Sequence, residues 1–394
     1  PARSLPGGLN MQQADRMQSI QPFHVMALLA RARELEAQGR SIVHMDIGEP
    51  DFVTPQPVID AGIQALRDGH TNYTPADGMF AMREHIAAFY RDRYGVTVDP
   101  QRVVITPGAS AALQLVMAVL VNAGDEVLMA DPGYPCNRNF VYLLGGNPVG
   151  IPVGSASAYQ PTPKQVSEHW SDATKALLVA SPSNPTGTLL GEQTLRDYHA
   201  ITGAQGGSLI VDEIYHGLVY DGQAATALAV SEDIFVINSF SKYFGMTGWR
   251  LGWLVAPHAH VSAIDKLAQN LFLAAPTMAQ HAALKAFDEG SISILEARRR
   301  EFQQRRDFLL PALREIGFDI PVIPDGAFYL YANCSRFSAD SYSFTSRLLE
   351  EAGVAITPGI DFGINKPETH VRFAYTTSME NLREGVQRLR AFLA

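Results

Sequence analysis

Short runs of Val, Ile and Leu recur through the middle of the chain, at 102–106, 126–130, 176–180, 209–212, 235–238 and 251–255. Their apolar residues are consecutive rather than alternating, which is what strands covered on both faces show. Between several of them lie stretches with helical spacing, such as 111–122 and 192–205. Strands alternating with helices predict an α/β fold with a mostly parallel sheet between helical layers. After about Ala275 the texture changes to long charged amphipathic segments, 291–316 being the longest, with strands expected at 327–332 and 371–375. This predicts a second, smaller α/β unit. The segment 23–39 reads as a helix ending at a Gly and is expected to pack on the C-terminal region or on a partner chain. No solenoid repeat and no low-complexity block interrupts the pattern.

At 394 residues, the length suits two to three domains at roughly 150 residues each. Hydrophobic residues make up 46% and charged residues 18%, against a usual ~25% charged, which excludes a largely disordered chain. The balance of 31 Lys and Arg against 40 Asp and Glu leaves a net charge of −9. The single basic group, Arg298-Arg299-Arg300 with Arg305-Arg306, alternates with acids and Gln, and is expected to be a solvated helix face. A nucleic-acid or anionic-membrane surface is therefore disfavoured. Two cysteines, Cys136 and Cys334, suit neither a disulfide framework nor a zinc cluster and point to a cytoplasmic protein. Residues 1–17 carry no apolar core of a leader, and a first residue that is Pro rather than Met suggests processing or trimming. The longest apolar run, 115–121, falls far short of the ~20 residues a membrane span needs.

Ligands of open α/β sheets sit beyond the carboxyl ends of the strands, so the residues that follow each strand carry the chemistry. After Thr106, Pro107-Gly108-Ala109-Ser110 is a small-residue turn opening a helix, whose free N–H groups suit a phosphate. Asp131-Pro132-Gly133-Tyr134-Pro135 places an aromatic ring on a stiff turn. Ser181-Pro182-Ser183-Asn184-Pro185-Thr186-Gly187 aims an amide that both donates and accepts. Asp212 ends an apolar strand, where a carboxylate needs a cationic partner, and Tyr215 follows three positions later. The run from Ser239 to Arg250 collects Ser239, Ser241, Lys242 and Arg250 between two apolar strands, a donor density that surface solvation does not explain.

Together, Ser-x-Ser-Lys-x-x-Gly-x-x-Gly-x-Arg at 239–250, Asn-Pro-x-Gly at 184–187 and Asp212 with Tyr215 resemble the class I/II aminotransferase family of fold type I pyridoxal-phosphate enzymes, over nearly the whole chain. The resemblance implies a three-layer large domain around the mostly parallel sheet, residues 50–280, and a smaller α/β domain built from both chain ends, residues 1–49 and 281–394. It implies pyridoxal 5'-phosphate as cofactor and no metal. Lys242 would bind the cofactor aldehyde and, once displaced by substrate, shuttle a proton. Asp212 would pair with the pyridine nitrogen, Asn184 and Tyr215 with the ring oxygen. Gly108, Ala109, Ser110, Ser239, Ser241 and Arg250 would hold the phosphate, with Tyr134 stacked on the ring. Tyr73, in Asn-Tyr-Thr-Pro, matches the tyrosine that family members lend to the neighbouring subunit's phosphate, which implies a homodimer. Arg372 would grip the substrate α-carboxylate, Gly48 would lie beside it, and Phe23 would line the substrate side.

The implied activity is amino transfer between an L-amino acid and a 2-oxo acid by a ping-pong mechanism, EC 2.6.1.-. Some aspartate-using members carry a Lys directly after the phosphate-loop glycines; here that position is Ser110, which favours a neutral aliphatic or aromatic substrate. Two alternatives remain: a C–S β-lyase, disfavoured by Ser183 ahead of Asn184, and a non-catalytic effector-binding protein, disfavoured by the retained Lys242 and the absence of a DNA-binding extension. His258 with His260, Cys136 and His216 are weaker candidates, read as structural. Signatures of P-loop ATPases, zinc proteases and serine hydrolases are missing from the sequence.

Overall fold

The computed structural model describes residues 13–394. Residues 1–12, which hold most of the stretch expected to carry no leader and the first part of the expected small domain, lie outside the described residues.

Among the described residues the strands are β1 (Val43–His44), β2 (Val103–Thr106), β3 (Glu126–Asp131), β4 (Asn147–Pro152), β5 (Thr174–Ala180), β6 (Ser208–Asp212), β7 (Phe235–Ser239), β8 (Gly252–Val255), β9 (Tyr329–Asn333), β10 (Val354–Ala355), β11 (Thr357–Pro358) and β12 (His370–Ala374). Seven of them form one sheet in the order β2-β8-β7-β6-β5-β3-β4. Only β8 runs against its neighbours, so the mostly parallel α/β sheet expected from the sequence is present. Successive residues feed opposite faces: Val103, Ile105, Leu177, Val179, Leu209 and Val211 join one core, Val104, Ala176, Leu178, Ile210, Phe235 and Ile237 the other. Two buried faces explain why these strands lack hydrophobic alternation.

The chain ends build the remaining sheets. β9, β11 and β12 form an antiparallel sheet, and β1 pairs in parallel with β10. The first long helix, His24–Ala37, buries Leu28, Ala32 and Leu35 against Leu349 and Ala355 of the C-terminal region.

Three expectations need correction. β4 was not expected, because Pro148, Gly150 and Pro152 disfavour strands; it survives at the sheet edge, where a missing N–H breaks no ladder. The strand expected from residue 327 begins at Tyr329, since Ala327 has φ +58°, outside the extended region. The arginine group is not a solvated face throughout: Arg300 is exposed, but Arg305 and Arg306 are 1% and 4% exposed. Arg305 meets the Asp51 carboxylate in a fork, Nη1 to Oδ1 at 2.7 Å and Nη2 to Oδ2 at 3.0 Å. It also lies over the rings of Phe52 and Phe302. The helix Glu289–Ile316 is covered there by a loop from the other end of the chain, which helical spacing alone does not report.

Candidate active site

The carboxyl ends of β2, β5, β6 and β7 open into a cavity of about 540 Å³. Lys242, Asp212, Tyr215, Asn184, Tyr134, Ala109, Ser110, Ser239, Ser241, Arg250, Arg372, Gly48 and Phe23 all line it. Residues more than three hundred positions apart are thus brought to one chamber.

At one end, Gly108 turns the chain at φ +82° into the helix Ala109–Leu120. A Cβ at Gly108 would meet Arg250 Nη2 at 2.5 Å, so only glycine lets the guanidinium lie on this turn. The first-turn N–H groups of the helix lack partners within it. Ser239 Oγ donates to Ser241 Oγ at 2.9 Å, and Arg250 donates to Thr247 O at 2.9 Å while remaining exposed. N–H groups, hydroxyls and a guanidinium form a donor set of the kind phosphates take.

In the middle, Asp212 is buried, and the one hydrogen-bond partner of its carboxylate among the described residues is the Ile214 N–H at 3.1 Å. Burial pushes its carboxyl up to about 7, which the Ile214 bond and the Lys242 charge do not offset. Among the described residues no side chain forms the ion pair with Asp212 that the sequence leads one to expect, and a protonated pyridine nitrogen has the charge the site lacks. Lys242 Nζ donates to Gly48 O at 2.6 Å. Burial first, then the Arg372 and Arg250 charges, lower its amine to about 8. The Tyr215 and Tyr329 hydroxyls stand 2.8 Å apart. The residues present therefore fit pyridoxal phosphate.

At the far end, Arg372 is buried. Its Nη1 donates to Asn184 Oδ1 at 3.0 Å, and its Nη2 to Asp46 O at 2.8 Å and to Thr357 Oγ1 at 3.3 Å. Its Nε has no partner, which leaves donor capacity for a carboxylate. With Asn184 Oδ1 accepting from Arg372, the Asn184 N–H groups are left to face other acceptors. Val371 and Phe373 point into the core on the opposite side of the strand. Phe23 reaches the cavity because Asp361 takes the His24 and Val25 N–H groups at 2.7 and 2.9 Å, pinning the start of the first helix to the C-terminal region.

Tyr73 is not among the residues lining this cavity and is 80% exposed, so it is not a buried core side chain. Cys136 lies beside the Tyr134 hydroxyl, outside the lining, and burial raises its thiol. Both cysteines are free. His260 packs edge-on against Phe235, and His258 faces Asp99 at 3.6 Å. His216 is buried, and burial pushes its imidazole down to about 3. Sequence reasoning missed Tyr329, Thr357, Glu49 and Asp361. The only signal for Tyr329 was an aromatic opening a strand expected for packing. No helix among the described residues is long and apolar enough to cross a membrane.

Comparison with known proteins places these features. The family described as aminotransferase class I and II matches residues 40–389. The chain is 39% identical to a (5-formylfuran-3-yl)methyl phosphate transaminase of Methanocaldococcus jannaschii, over 96% of this chain and 98% of that one. It is 39% identical to a valine–pyruvate aminotransferase of Mycobacterium tuberculosis, over 95% and 97% of the two chains. A crystal structure of an aminotransferase from Mycobacterium tuberculosis superposes with a TM-score of 0.93 at 39% identity, covering 97% of this chain and 99% of that one.

Proposed function

The chain belongs to the class I and II aminotransferase family, and on that premise we propose that it transfers the amino group of a neutral L-amino acid, aliphatic or aromatic, to a 2-oxo acid. It is a pyridoxal-phosphate-dependent aminotransferase, EC 2.6.1.-. When bound, the cofactor supplies an electron sink for the pair released as the substrate Cα–H bond breaks.

The chain's own residues do the rest. Lys242, whose amine burial lowers to about 8, would take the Cα proton on Nζ and pass it to the cofactor carbon that carries the amino nitrogen. Asp212 keeps a proton on the ring nitrogen by supplying the opposing charge. The Asn184 amide and Tyr215 hydroxyl donate to the ring oxygen. Ala109, Ser110, Ser239, Ser241 and Arg250, with the Gly108 turn, hold the phosphate, and Tyr134 covers the ring. Arg372 orients the substrate carboxylate beside the Gly48 backbone, and Phe23 excludes water from the substrate side.

The observation that carries the substrate class is the cavity lining. Its basic residues are Lys242, Arg250 and Arg372, each already assigned, while Phe23, Val25, Met26, Leu29 and Phe362 supply apolar surface. Among the described residues no further cation lines the cavity to meet a side-chain carboxylate. The Mycobacterium tuberculosis relative named for valine and pyruvate is in keeping with this choice. The division into a large domain, 50–280, and a small one from both chain ends rests on the β1–β10 pairing, although the helix Thr277–Ala283 spans the boundary. A homodimer is supported by exposed Tyr73 and by Arg250, whose end of the cavity stays open in one chain. A cytoplasmic location is supported by the two free cysteines.

The test is the visible absorbance of the loaded protein, titrated with single amino acids, with ammonia and 2-oxo acids assayed alongside. Valine, leucine or phenylalanine should bleach the band, and pyruvate or 2-oxoglutarate should restore it. Exclusive response to aspartate would refute the neutral-substrate reading, and ammonia release without bleaching would favour the β-lyase.

A further inference from the structure

We propose that Tyr329 is a positioning residue joining the two working ends of the cavity, its ring setting the plane of the Arg372 guanidinium and its hydroxyl orienting that of Tyr215. The inference rests on the roles proposed above for Arg372 and Tyr215.

Tyr329 opens β9, 1% exposed, between the two regions. The Arg372 guanidinium carbon stands 4.2 Å from the centroid of its ring, a close cation–π stack. Such a stack fixes the plane from which the guanidinium presents its donors, while Asn184, Asp46 and Thr357 fix its rotation within that plane. On the hydroxyl side, Tyr329 and Tyr215 are 2.8 Å apart. Tyr215 has one hydroxyl hydrogen. Once that hydrogen is given to an acceptor in the cavity, the contact can persist only with Tyr329 as donor and Tyr215 as acceptor. Donation into a hydroxyl strengthens that hydroxyl as a donor, so Tyr329 makes Tyr215 the better hydrogen-bond partner. The Gly48 backbone closes the remaining side: a Cβ there would lie 2.6 Å from the Tyr329 oxygen, so the hydroxyl has little freedom to turn away. The same Gly48 carbonyl accepts from Lys242. One buried tyrosine thus touches the carboxylate grip, the phenolic donor and the backbone segment that holds the lysine.

Ring and hydroxyl can be separated. Tyr329→Phe keeps the ring and volume; Tyr329→Leu loses both functions. In the loaded enzyme, the pH midpoint of the visible band should rise by about half to one unit in Tyr329→Phe, the range one neutral hydrogen bond supplies. Binding of propionate, an unreactive carboxylate, should stay within about twofold of wild type in that variant, and weaken about tenfold in Tyr329→Leu. An unshifted midpoint in Tyr329→Phe would overturn the hydroxyl role, and unweakened propionate binding in Tyr329→Leu would overturn the ring role. If the wild type forms no visible band with added cofactor, the aminotransferase assignments fall and this proposal with them; a normal wild-type titration with unchanged variants sinks the proposal alone.

Discussion

The two anion-gripping ends of the cavity are built on opposite plans. At the end proposed for phosphate, the donors come from two short contiguous stretches, 108–110 and 239–250, and Arg250 is exposed. At the end proposed for carboxylate, Arg372 is buried on an aromatic ring and held by acceptors 188 and 326 positions away in the chain. The difference follows from what each end must do. A resident phosphate can be held by many modest donors, including backbone N–H groups, and the open side leaves room for the Tyr73 proposed to come from a second subunit. A substrate carboxylate that must arrive, be oriented and leave in each turnover is better served by one fixed fork in a water-poor pocket, where charge-assisted bonds are stronger.

The largest effect is expected midway between these ends. Lys242→Ala should lower turnover about 10⁴-fold while leaving the circular dichroism unchanged; near-normal turnover would break the assignment of both ends, since each is oriented on that amine. Next, Arg372→Lys should raise KM for every amino substrate about 10- to 100-fold, because a point charge cannot replace a planar fork. Cofactor affinity should be unchanged, and a matching loss there would show that the two ends are not separate. The converse variant, Gly108→Ala, places a methyl group on Arg250 at a left-handed position. It should weaken cofactor binding about tenfold, with KM at saturating cofactor kept within about twofold.

The smallest effect is on stability. Because burial raises the Asp212 carboxyl from 3.8 to about 7, the folded cofactor-free protein holds a proton that the unfolded chain releases. Stability should therefore be fullest below about pH 4 as far as this group is concerned, and decline as pH rises toward 7. The expected readout is a melting temperature lower by a few degrees at pH 7 than at pH 5. Loading with cofactor, or Asp212→Asn, should reduce that slope, leaving the part due to Glu213, whose carboxyl burial pushes up to about 8; an equal slope in all three would show that Asp212 is not a group responsible.

Much of this was legible in the chain. The six apolar runs became strands of one sheet because a strand buried on both faces leaves a local mark, and the residues following five of them lie at the cavity, the exception being β8, which runs against the others. The phosphate end was legible for the same reason: its parts are neighbours in sequence. Arg305 shows where legibility ends, since helical spacing reports which residues share a face but not that a loop bearing Asp51 will cover it. Edge strand β4 was hidden because only its position at the sheet margin excuses its prolines.

By itself, then, the sequence determined the α/β alternation and the family, and it named the side chains proposed to react, all of which are written in contiguous patterns a few residues long. Only the tertiary structure decided that Asp212 has no ion-pair partner among the described residues, that Arg372 is clasped by Asn184, Asp46 and Thr357, and that Tyr329 stands between the two ends. Burial and long-range pairing are properties of segments that meet only in the folded chain, and no local periodicity encodes which segments those are.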